Sequence, residues 1–110
     1  MLSEIHISPD ASIEDALRNL KGAYGRDPSN AELLKTARYF YANGQYKQSL
    51  LCCEIHQSRT NKSENSSHLL GYCAAMLSDR ARAIECFKIT SNKSYPTDWQ
   101  LLVELMVELE

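Results

Sequence analysis

Sliding the sequence against itself by 34 residues lays Ala37 on Gly71, Phe40 on Ala74, Gly44 on Ser78, Ser49 on Ala83, Leu50 on Ile84 and Cys53 on Phe87. Small residues fall on small ones. A period of this size belongs to arrays of helix-turn-helix units, in which each unit buries its apolar face only by stacking on a neighbour. The residues inside one period agree with that. Leu33, Leu34, Ala37, Phe40 and Tyr41 recur at helical spacing, Asn43-Gly44 interrupts, and Tyr46, Leu50 and Cys53 resume the spacing. This predicts a helical hairpin turning at Gly44. Ser29 followed by Glu32 three positions later reads as a capping box, and Pro28 cannot belong to a helix interior.

In the second unit, Leu69-Leu70-Gly71-Tyr72-Cys73 places a small residue in the first helix. Arg82-Ala83-Ile84-Glu85-Cys86-Phe87 then places a small-aliphatic pair and an aromatic in the second. With that arrangement and period, the chain resembles the tetratricopeptide repeat (TPR) family. Thr36 and His56 depart from the family pattern, and Ser78-Asp79-Arg80 is an unusual turn for it. Upstream, Ser12 to Ala23 reads as the second helix of a preceding unit, with Ala16 lying 33 residues before Ser49. Downstream, Thr97-Asp98-Trp99-Gln100 is a second capping signal after Pro96. The resemblance implies an all-α fold of antiparallel hairpins stacked as a short right-handed solenoid. It forms one domain, 1–110, made of a half repeat (12–24), repeats at 30–60 and 64–95, and a terminal helix (97–110).

In that family the first helices of successive hairpins line a concave groove. By aligned position, the resemblance implies that Ala31, Leu34, Arg38, Tyr41 and Ala42 line it from the first unit, with Asn65, His68, Tyr72, Ala75 and Met76 from the second. The lining is mixed and mostly uncharged. Leu34, Met76 and two tyrosines suit an apolar or helical protein ligand, while Arg38 and His68 orient it. Packing between hairpins is the alternative role for Tyr41 and Tyr72. One subclass of the family grips an acidic tail with lysine and asparagine side chains. Here Leu34 and Arg38 occupy those positions, so that mode of recognition is not expected.

The terminal segment is the least balanced. Trp99, Leu102, Met106 and Leu109, with the neighbouring Leu101, Val103, Leu105 and Val107, leave only Gln100, Glu104, Glu108 and Glu110 as a polar stripe. A partner, a second copy of the chain, a further hairpin or the last hairpin itself would have to cover so wide an apolar arc.

Composition narrows the function classes. At 110 residues and 44% hydrophobic content the chain suffices for one buried core. A net charge of -2 provides no basic field for nucleic acid. The first ten residues read as neither secretory signal nor transit peptide, and no apolar run is long enough to span a membrane, so a cytoplasmic protein is expected. In that compartment Cys52, Cys53, Cys73 and Cys86 are expected as reduced core thiols. Cys52, His56, His68 and Cys73 are the best zinc constellation the sequence offers, but their spacing is irregular and no metal or cofactor is expected. None of the three histidines falls in a nucleophile elbow, a phosphate loop or a metalloprotease helix. Carboxylate pairs such as Glu14-Asp15 lie on solvated helix faces.

The sequence therefore reads as a non-catalytic protein-binding module, a small chaperone or adaptor that holds a helical segment of a partner. In size and repeat number it is similar to the small TPR chaperones of type III secretion. The alternative is a scaffold or oligomerisation segment of a larger TPR-containing assembly, joined through the last helix.

Overall fold

A computed structural model describes residues 5–61 and 63–90. Within them the regular structure is entirely helical: α1 (Ile13–Tyr24), α2 (Asn30–Ala42), α3 (Tyr46–Thr60), α4 (Glu64–Met76) and α5 (Arg80–Thr90). The terminal segment 97–110, including Trp99, Leu102, Met106 and Leu109, lies outside the described residues.

The helix starts follow from local chemistry. Ser12 accepts the Asp15 N–H at 3.1 Å to open α1, and Gly25, at φ 72°, supplies the left-handed residue that closes it. At α2 both halves of the capping box form, because Ser29 Oγ accepts the Glu32 N–H and Glu32 Oε1 accepts the Ser29 N–H. Arg26 donates two bonds to the same carboxylate, at 2.6 and 2.7 Å. The guanidinium, with the Ser29 N–H, holds Glu32 down to about 2. From α3, Arg59 reaches back to the carbonyl of Pro28 at 2.6 Å and to Asp27 at 2.8 Å, tying the end of α3 to the α1–α2 connection.

The 34-residue period is present in the backbone itself. Helices α2 and α4 open at positions 30 and 64, and α3 and α5 at 46 and 80. In the first turn Gln45 N–H donates to Phe40 O at 2.9 Å around Gly44 (φ 75°). In the second, Asp79 N–H donates to Ala74 O at 2.8 Å around Ser78 (φ 64°). The unusual Ser78-Asp79-Arg80 turn thus has the same geometry as the glycine turn, with serine carrying the left-handed conformation that glycine adopts without strain.

Two groups of buried side chains hold the hairpins. Leu33, Ala37 and Phe40 of α2 pack with Leu51, Cys52, Cys53 and Ile55 of α3, and Ala16 and Leu20 of α1 join them. Ile5 and Ile7, in the segment before α1, are buried in the same group, an anchor the hydrophobic periodicity does not disclose. The second group comprises Ala74, Ala83, Ile84 and Phe87 of α4 and α5.

Gly71 shows why the small positions are small. A Cβ built there would stand 2.7 Å from Phe87 Cε1 and 3.1 Å from Cys86 Cβ, closer than packed atoms tolerate.

Two buried polar side chains of these helices have hydrogen-bond partners. Thr36 Oγ1 donates to Glu32 O and accepts from Tyr24 OH, both at 2.8 Å. His56, also buried, has Thr60 Oγ1 3.3 Å from Nδ1. Between hairpins, the Gln57 amide donates to Ser66 Oγ at 2.9 Å and Ser67 Oγ at 2.8 Å, both on α4.

Candidate partner-binding face

Helix α4 packs on α2 as well as on α3, so side chains from the first helix of each hairpin meet. The meeting is aromatic. Tyr41 and Tyr72 lie edge-to-face with centroids 6.4 Å apart, Tyr41 continues to Tyr46 at 5.4 Å, and His68 stands edge-on to Tyr72 at 4.9 Å. Phe87 supports Tyr72 from beneath at 5.4 Å. Such ring geometry aligns positive edges with negative faces and adds about 0.5–1.5 kcal/mol per pair beyond burial. Tyr41, Tyr46, His68 and Tyr72 are each half-buried, so part of each ring remains accessible.

The groove-lining residues expected from sequence divide in this frame. Tyr41, His68 and Tyr72 are brought together as described. Met76, 52% exposed, carries apolar surface to the end of α4. Arg38, Ala31, Ala42 and Asn65 are exposed, whereas Ala75 is half-buried against the second core group. Leu34 is buried, with 8% of its surface accessible, so it supports the face from inside and presents little surface to a ligand. Tyr46, at the start of α3, was not anticipated in the row. In the sequence it only resumes the helical spacing after Gly44, and the fold shows that it meets Tyr41.

The electrostatics of this face are simple. Burial raises the Tyr41 phenol, with Cys73 and Tyr46 adding to the effect. Burial is also the main cause that lowers the His56 imidazole, and the positive charges of Arg38 and Arg59 act in the same direction.

The four cysteines are buried and free of disulfides. Burial pushes Cys52 up to about 12 and Cys86 up to about 11. Interaction with the neighbouring Cys73 thiol, together with burial, raises Cys53, while Cys53 lowers Cys73, and Cys73 Sγ donates to Ser49 Oγ at 3.3 Å. Ser49 in turn donates to Ala37 O at 2.7 Å, which completes a hydrogen-bonded path from α3 into both neighbouring helices. Among the described residues no group of three or more His, Cys, Asp or Glu side chains is gathered to hold a metal ion, so Cys52, His56, His68 and Cys73 do not converge. No described helix is long and apolar enough to cross a membrane.

A concavity of about 330 Å³ lies among α1, α3, α4 and α5 and shares no residue with the aromatic row. Ile13, Leu70, Cys86 and Ile89 form its apolar part, and the Arg82–Glu54 ion pair, 2.9 Å long, lines it.

Comparison with protein-family models, curated proteins and solved structures finds no match to this chain.

Proposed function

We propose that this chain is a TPR-like, non-catalytic binding module, a small chaperone or adaptor that holds a helical segment of a partner protein across the α2/α4 face. The observation that carries this reading is the half-open row of Tyr46, Tyr41, Tyr72 and His68. Aromatic side chains that are partly packed and partly accessible provide contact area with few rotamers to freeze, which is what a recognition surface needs. The 34-residue repetition of helix starts and turn geometry supports the stacked-hairpin solenoid that would make this face a groove.

The test uses a fluorescein-labelled amphipathic helical peptide as probe, with fluorescence anisotropy as the readout. Tyr72→Ala and Tyr41→Ala are expected to weaken binding at least about tenfold, the scale of one lost interface anchor. Circular dichroism checks that the helices persist. Binding unchanged in both variants would refute the face. A second reading, self-association through the segment 97–110, is favoured by its apolar residues Trp99, Leu102, Met106 and Leu109. Sedimentation velocity of the full chain distinguishes it, since Leu102→Glu would then convert an oligomer into a monomer.

A further inference from the structure

The α2/α4 face is chemically divided along its length. On α2 the exposed strip at helical spacing is Ala31, Lys35, Arg38 and Ala42, two cations between two small residues. On α4 the residues 34 positions later are Asn65, Leu69, Tyr72 and Met76; after the polar Asn65 they form an apolar strip in which Leu69 and Tyr72 are half-buried and Met76 is exposed. The Tyr41–Tyr72 contact sets the two strips side by side.

The acidic residues of these helices lie elsewhere. Glu32, the one carboxylate of α2, is occupied by Arg26 and the Ser29 N–H. Glu64, the one carboxylate of α4, stands at its first residue and is itself engaged. Among the described residues neither Lys35 nor Arg38 forms an ion pair. In a chain of net charge -2, a face whose described residues set cations against no carboxylate is a local reversal of sign.

Resting on the groove reading above, we infer that the occupant is an acidic amphipathic helix of a partner protein. Its apolar ridge lies over Leu69, Tyr72 and Met76, and carboxylates at i, i+3 or i, i+4 spacing lie over Lys35 and Arg38. The spacing of the occupant follows from α2: two cations three residues apart are separated by about 4.5 Å along the axis, the advance between successive acidic positions on one side of a helix. Cations at the edge of an apolar strip select between ligands by charge, because a like-charged flank is repelled and an opposite one is steered in.

Three synthetic helical peptides of about 18 residues, long enough to cross the face, test this. They share one Leu/Phe ridge and differ only in carrying Glu, Gln or Lys on the flank. Anisotropy titrations are expected to show the Glu peptide binding about tenfold tighter than the Lys peptide, with the Gln peptide between them and the difference shrinking at high salt. The charge-reversal pair Lys35→Glu and Arg38→Glu, both at exposed positions, is expected to invert that order. Equal affinity for all three flanks, an order unchanged by the reversal, or equally strong binding of a single-stranded oligonucleotide overturns the inference while leaving the groove intact. Failure of all three peptides to bind overturns the groove reading itself, and this inference with it.

Discussion

The two hairpins share one backbone plan and fill it in opposite ways. In the first, the aromatic bulk sits on the first helix: Phe40 is on α2, and the facing helix offers Cys53. In the second it sits on the other helix: the counterpart of Phe40 is Ala74, and the counterpart of Cys53 is Phe87. All four are buried. The exchange propagates to the helix crossing, where Ala37 is accommodated but Gly71 has no room for a Cβ because Phe87 occupies it. The bulk between facing helices is thus exchanged from one helix to the other rather than kept at each position, as close packing allows. The second hairpin pays for its large aromatic with a glycine inside α4, at a helix-propensity cost of about 1 kcal/mol relative to alanine.

Breaking that arrangement should have graded effects, read by urea unfolding followed by circular dichroism. Phe87→Ala should be the most damaging, at about 3–5 kcal/mol, because it opens a cavity in the smaller core group and removes the support under Tyr72. Gly71→Ala should cost about 1–3 kcal/mol by overpacking, despite alanine's better helix propensity, and much of that loss should disappear when combined with Phe87→Leu. An additive double mutant would show that Phe87 is not what excludes the Cβ. At the two turns the same logic runs in opposite directions: Gly44→Ala should destabilise by about 1 kcal/mol, and Ser78→Gly should stabilise by up to about 1 kcal/mol, since both positions hold φ near +70°.

The smallest effect concerns His56, whose counterpart in the second hairpin is Thr90. Burial, with Arg38 and Arg59 nearby, lowers the imidazole below its ordinary value of 6.5. The unfolded chain then takes up the proton first as pH falls, so stability is fully present above 6.5 and declines as pH drops from there toward the lowered value. Midpoint temperatures measured between pH 7.5 and 5 should show this slope in the native chain and a shallower one in His56→Thr. Identical slopes would mean that His56 is not the group responsible.

Much of the fold was legible because its signals are local. The capping box at Ser29 and Glu32, the turn at Gly44 and the spacing of Leu33, Ala37 and Phe40 act within one or two helical turns, and each is found where the residues predict it. The four cysteines, expected as reduced core thiols, are buried. Less of the candidate site was legible. Tyr41, His68 and Tyr72 do come together, but Leu34, assigned to the same lining, turns inward, because a helix face a single residue wide decides between core and groove and the pattern of one helix does not resolve it. Tyr46 joins the row from a different helix, and Ile5 and Ile7 reach the core from a segment with no helical period.

The sequence by itself determined that the described residues are helical, that their helices come in pairs, and that the two pairs lie 34 residues apart, since helix starts, turns and apolar spacing are properties of neighbouring residues. Only the tertiary structure decided which member of each pair carries the aromatic bulk, why Gly71 lacks a side chain, and that cations and apolar groups lie in adjacent strips. Those features are set by volumes and charges on different helices, and they exist only where the helices touch.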